Sequence, residues 1–126
     1  MASAASFELA TTVTEHDQGF ALESEGYTKL NLFRASLNHT GSISLEGELT
    51  LAAGTASLVM WSKVGGQYYF SRMPGQQSIE PVTGLKFTIP FLSPDQPITE
   101  VILQVEMPEG GKLRFDQLTL VEAAGR

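Results

Sequence analysis

Cysteine is absent from this sequence, which excludes disulfides, thiolate metal sites and a cysteine nucleophile. Basic residues are scarce: eight Lys and Arg stand against fourteen Asp and Glu, a formal net charge of −6. That sign repels phosphate backbones and anionic membrane surfaces, and no local cluster of basic residues offsets it. Neither nucleic acid nor a membrane is therefore expected as a partner. No apolar run approaches the ~18 residues of a membrane helix. Met1 to Leu9 lacks the basic n-region and long apolar h-region of a signal peptide. Tryptophan occurs once, at Trp61, and no G-x-S-x-G is found.

What the chain does contain is strand signal. Its hydrophobic fraction of 42% is that of a globular protein, not a disordered one. Its 126 residues fit a single domain over 1–126 that buries roughly two-thirds of its unfolded surface, with residues 1–5 a small-residue leader expected to be disordered. Apolar and polar residues alternate over Ser6–Thr14, Phe20–Ser24, Tyr27–Leu37, Ser42–Leu51 and Leu85–Phe91. In Tyr27–Leu37, Leu30 and Leu32 share one face, while Tyr27, Lys29, Asn31 and Phe33 share the other. Thr55–Val64 instead carries Leu58, Val59, Met60 and Trp61 in succession. That run suits a central strand covered on both faces, or one with a core face and a ligand face.

Turn chemistry separates these runs. His16–Gly19, Glu25-Gly26, Asn38–Gly41, Ala52–Gly54 and Gly65-Gly66 are breaks, and Pro74–Gly84 is the longest irregular stretch. Ile98–Glu122 reads as a final hairpin: Val101, Leu103, Val105 and Met107 alternate, Pro108–Gly111 turns, and Leu113 and Phe115 alternate again. Ile102 is the exception. About nine strands and no helix predict an all-β fold, an antiparallel jelly-roll-like β-sandwich.

Lys112–Leu120 resembles the closing strand of jelly-roll carbohydrate-binding modules. Ser6-Phe7-Glu8 is similar to their short Phe-Glu opening, and Gly41–Leu51 and Ser57–Val64 resemble their long central strands. The chain departs from that family in its single tryptophan and in lacking a Gly-Trp in the N-terminal third. The resemblance implies a jelly-roll fold and a non-catalytic module that binds carbohydrate outside the cell or in the periplasm. It also implies a structural calcium at a pair matching Glu8 and Asp116.

Read from the residues themselves, Trp61, Tyr68, Tyr69 and Phe70 straddle Gly65-Gly66, so a hairpin there brings Trp61 within reach of Tyr68 or Tyr69. Aromatic faces suit the axial C–H groups of a pyranose, and Lys63, Gln67, Arg72, Gln76 and Gln77 are placed to bond its hydroxyls. The expected ligand set is Trp61, Tyr68, Tyr69, Arg72, Gln67 and Gln76. The same aromatics equally suit a sandwich core, or a subunit interface in a self-assembling homo-oligomer. Asp116 sits where the alternation changes phase, as at a bulge or a paired carboxylate. Glu46 and Glu48 share the polar side of a cleanly alternating strand and read as a solvated face, not a catalytic pair. His16 and His39 fall in turns and read as surface residues.

Overall fold

In the computed structural model, residues 11–16, 19–73, 78–92 and 95–122 are described. The leader, Glu8, Gln76 and the start of the first expected strand lie outside them. The described residues form nine strands: β1 (Thr11–His16), β2 (Gly19–Ser24), β3 (Thr28–His39), β4 (Ser42–Gly54), β5 (Ser57–Val64), β6 (Gln67–Ser71), β7 (Val82–Leu92), β8 (Ile98–Met107) and β9 (Gly111–Glu122). One sheet has the order β1-β2-β9-β4-β7 and the other β3-β8-β5-β6. Every pairing is antiparallel. This is the expected all-β antiparallel sandwich.

The core follows from period-two burial. Leu22, Leu45, Leu49, Leu51, Ile89, Leu113 and Phe115 reach it from one sheet, and Leu30, Leu32, Leu58, Met60, Val101, Leu103 and Val105 from the other. Each fully buried aliphatic side chain contributes roughly 1.5–3 kcal/mol against exposure. Phe87 and Phe115 meet edge to face at 5.9 Å.

Ile98–Glu122 is not a hairpin. β8 lies between β3 and β5, whereas β9 lies between β2 and β4, so Pro108–Gly111 arches from one sheet to the other. The flanking strands account for this, since β3 and β5 take both edges of β8, and β2 and β4 both edges of β9. Val101, Leu103 and Val105 face Leu113 and Phe115 across the core rather than beside them along a ladder. At the arch a Cβ on Gly111 (φ +134°) would run into the Ala53 carbonyl oxygen. β8 and β9 are thus both interior strands, one in each sheet.

Two bulges reset faces that the alternation alone misplaces. A register shift between Asn31 and Phe33 leaves Asn31 outward and turns Phe33 against the core, contrary to the outward face expected of Phe33. On β9, Asp116 pairs with Glu48 and Thr119 with Glu46, so Gln117 and Leu118 together oppose Gly47. Gln117 takes φ +56° there, which is the phase change seen in the sequence after Phe115. Gly47 occupies an inward position filled by its neighbours: a Cβ would meet Leu118 Cδ1 and Phe87 Cε2, each at 3.3 Å.

Candidate functional site

Gly65 and Gly66 both have positive φ, 59° and 83°, the type I′ geometry that matches the twist of flanking strands. This two-residue loop closes on the Val64–Gln67 pair and determines the rest of the β5–β6 register: Lys63 opposite Tyr68, Ser62 opposite Tyr69, Trp61 opposite Phe70. Residues directly opposite share a face. Ser62 is fully buried toward the core, so Tyr69 belongs to the inner side. Trp61, Lys63, Tyr68 and Phe70 are on the outer face.

That outer face runs across four strands in rows. Lys29, Glu106 and Ser57 form one row, and Asn31, Gln104 and Val59 the next. Arg34, Ile102, Trp61 and Phe70 form a third, followed by Ser36, Glu100, Lys63 and Tyr68. Ile102, the exception to alternation in β8, is explained by its row. It projects outward between Arg34 and Trp61 yet is only 6% exposed.

The side chains of these rows hold one another. The Trp61 and Phe70 rings meet edge to face at 5.7 Å. Trp61 Nε1 donates to Gln104 Oε1 at 3.4 Å, and Gln104 Nε2 donates to Asn31 Oδ1 at 3.1 Å. The Tyr27 hydroxyl donates to Glu106 at 3.0 Å. The Tyr68 hydroxyl donates to Glu100, whose other oxygen pairs with Arg34 at 3.1 Å. Both phenols are held above their ordinary pKa, chiefly because ionisation would break the bond to the carboxylate. Lys63 Nζ lies 5.6 Å from the Tyr68 ring centre and the Arg72 guanidinium 5.7 Å from that of Phe70, both within cation–π range. Lys29, Ser57, Val59, Trp61, Gln104 and Glu106 line a shallow depression of about 180 Å³, with Phe70 and Arg72 at its side. It is smaller than the ~300–1,000 Å³ pockets that enclose small molecules, and it suits a ligand that lies across the sheet.

The structure therefore gathers Trp61, Tyr68 and Arg72 of the expected set on one face and separates Tyr69 and Gln67 from them. Tyr69 stacks on Phe91 at 6.2 Å, and its hydroxyl donates to Gln67 at 3.2 Å. Both line a cleft of about 440 Å³ at the edge of the sandwich with Leu92, Asp95 and Gln96. Gln76 lies outside the described residues. The outer face also holds Phe70, Gln104, Asn31, Tyr27 and Glu106, which local reasoning did not assign to the site. Phe70 was within reach of it, because a two-residue loop at Gly65-Gly66 itself pairs Trp61 with Phe70. The others arrive from β3 and β8, distant in sequence.

Asp116 accepts from Arg114 Nε through both carboxylate oxygens, each at 3.1 Å. That is an ion pair, whereas calcium takes six to eight oxygens at ~2.3–2.6 Å. Among the described residues no group of three His, Cys, Asp or Glu could hold a metal. Glu8, the other member of the pair for which the resemblance implies calcium, lies outside the described residues. Glu46 accepts from Ser44 Oγ at 3.0 Å on the other sheet, and His39 bonds the Ser42 carbonyl at 3.1 Å. No helix among the described residues is long and apolar enough to cross a membrane.

No protein-family model matches the sequence, and no curated protein does. Solved structures do match. The CBM22-1 xylan-binding domain of Paenibacillus barcinonensis Xyn10C superposes with a TM-score of 0.58 at 12% identity, over 94% of this chain and 86% of that one. A carbohydrate-binding module of family 4 gives 0.59 at 12% identity over 97% and 78%. The CBM22-1–GH10 modules of Clostridium thermocellum xylanase 10B, complexed with xylohexaose, give 0.59 at 8% identity over 96% of this chain and 26% of that one. At such identities the likeness is one of fold: this chain is a β-sandwich of the kind that carbohydrate-binding modules adopt.

Proposed function

We propose that this domain is a non-catalytic carbohydrate-binding module whose site is the outer face of the β3-β8-β5-β6 sheet. The observation that carries the reading is the Trp61–Phe70 pair, flanked by exposed Tyr68 and Tyr27 and fastened by the Gln104–Asn31 hydrogen bonds. Preorganised rings offer flat apolar surface to pyranose C–H groups at low entropic cost, and Gln104, Asn31 and Arg72 supply donors and acceptors for hydroxyls. No bond is made or broken. Glu100 and Glu106 each accept a phenolic hydrogen bond, which leaves neither as a proton donor poised beside a sugar. The solved xylan-binding domain of the same fold supports the reading by analogy.

The test is tryptophan emission during titration with soluble glycans, the single indole giving one source of signal. A saturable change that Phe70→Ala and Tyr68→Ala abolish and Tyr69→Ala leaves in place is the expected result. A panel that never moves the emission, or a response lost only in Tyr69→Ala, would sink the outer-face site.

A second reading, a self-assembling module, draws on β6, an edge strand of its sheet among the described residues. In a two-residue loop the closing pair is the hydrogen-bonded one, so Gln67, Tyr69 and Ser71 bond to β5. The N–H and C=O groups of Tyr68 and Phe70 then point outward from the sheet. A second copy running antiparallel would set Tyr68 against Phe70 twice about a two-fold axis. Light scattering over a concentration series tests this. A dimer dispersed by Tyr68→Pro, which spares the β5 ladder, would establish it, and a monomer at all concentrations would end it.

A further inference from the structure

We infer that the ligand of this face is an acidic glycan, a polymer whose sugars carry carboxylate or sulfate groups. The inference rests on the sugar-platform reading and adds the ligand's charge. Lys29, Arg34, Lys63 and Arg72 all lie on the outer face of the β3-β8-β5-β6 sheet or at its rim. They are four of the eight basic residues in a chain with fourteen acidic ones. Among the described residues of those rows, Glu100 and Glu106 are the acidic ones that oppose them. The fold thus builds the basic cluster that no local stretch of sequence contains.

The two carboxylates on the face are already engaged. Glu100 pairs with Arg34 and accepts from Tyr68, and Glu106 accepts from Tyr27. By contrast, Lys29, Lys63 and Arg72 make no ion pair among the described residues. Lys63 and Arg72 rest over the Tyr68 and Phe70 rings instead, so each cation stands beside an aromatic surface on which a sugar would stack. On the other sheet the balance is reversed. Arg114 is paired with Asp116 and Lys112 with Glu23, while Glu46 and Glu48 face outward with only Lys86 near in register. An acidic polymer is repelled by the molecule as a whole and drawn to this one face, which orients the encounter. A neutral glycan would gain only hydrogen bonds from these cations, whereas an acidic one would gain their charge as well. A single-stranded nucleic acid would also stack and pair here, and oligo-dT is the competing ligand in the experiment.

The experiment compares tryptophan-monitored binding of a neutral xylan, polygalacturonate, a sulfated galactan and oligo-dT, at low and at raised salt. We expect polygalacturonate or the sulfated galactan to bind roughly tenfold tighter than the neutral polymer, the scale of two or three exposed ion pairs. The preference should shrink as salt shortens the Debye length to about 10 Å or less. It should vanish in Lys63→Gln/Arg72→Gln and return in Lys63→Arg/Arg72→Lys. Which polymer wins distinguishes carboxylate from sulfate. Equal affinity for neutral and acidic glycans overturns the inference and leaves the sugar platform standing. Oligo-dT binding above both acidic glycans overturns it in favour of a nucleic-acid surface, and silence from every glycan overturns it together with the platform.

Discussion

Trp61 faces Phe70 across the β5–β6 ladder, with ring centres 5.7 Å apart and planes inclined at 65°. Phe70 is 59% exposed, so the pair has one ring in water and one half-covered. Phe70→Ala uncovers the indole edge and removes an aromatic contact worth about 0.5–1.5 kcal/mol beyond its area. The expected outcome is a red shift of tryptophan emission and a loss of that size in urea unfolding. An unchanged emission maximum would show that the rings do not meet in solution.

Tyr27 and Tyr68 titrate above the ordinary phenol value of 10.0 because each donates its proton's hydrogen bond to a carboxylate. A raised folded pKa stabilises the protonated form. Stability from these bonds is therefore complete below about pH 10, the unfolded value, and is lost as the pH climbs through the folded values. Glu106→Gln keeps an acceptor but removes the negative charge, so the Tyr27 transition should fall back toward 10.0. Ultraviolet titration of tyrosinate checks this; superimposable curves for variant and parent would refute it.

Gly47 is an inward position of β4 that has been filled from outside. Because Leu118 and Phe87 each come within 3.3 Å of where a Cβ would stand, Gly47→Val overpacks the core beneath the β9 bulge. A destabilisation of about 1–3 kcal/mol is expected, read from the midpoint of chemical denaturation. Pairing it with Leu118→Ala should recover part of the loss, since the two compete for one space.

Gly111 and Gly66 contrast two glycines of positive φ. Gly111 stands at the arch between β8 and β9, where any Cβ collides with the Ala53 backbone, whereas nothing lies within 4 Å of a Cβ on Gly66. Gly111→Ala should cost more than about 2 kcal/mol. Gly66→Asn should cost no more than a few tenths, since Asn tolerates the turn conformation. Similar thermal midpoints for the two variants would contradict this placement of the arch.

The strands and most turns of this protein are written locally. Alternation in Ser42–Leu51 or Leu85–Phe91 needs only one solvent and one core, and the consecutive glycines at 65–66 specify a two-residue loop with its register. Pairing Trp61 with Phe70, and therefore turning Tyr69 away, follows from that loop alone. The bulge at Gln117 also showed itself, as a slip in phase after Phe115.

Sheet membership was decided only in three dimensions. Val101–Met107 and Leu113–Phe115 satisfy their hydrophobic pattern equally as ladder neighbours or as opposite walls of a core, and nothing within Pro108–Gly111 distinguishes a hairpin from an arch. The choice depends on β3 and β5 flanking β8, and on β2 and β4 flanking β9. The same long-range pairing brings Asn31, Gln104 and Trp61 into one hydrogen-bonded line and collects basic residues from β3, β5 and the end of β6 onto one face. Periodicity records whether a side chain meets water or core. It does not record which strand lies beside it, because many partners bury the same apolar area.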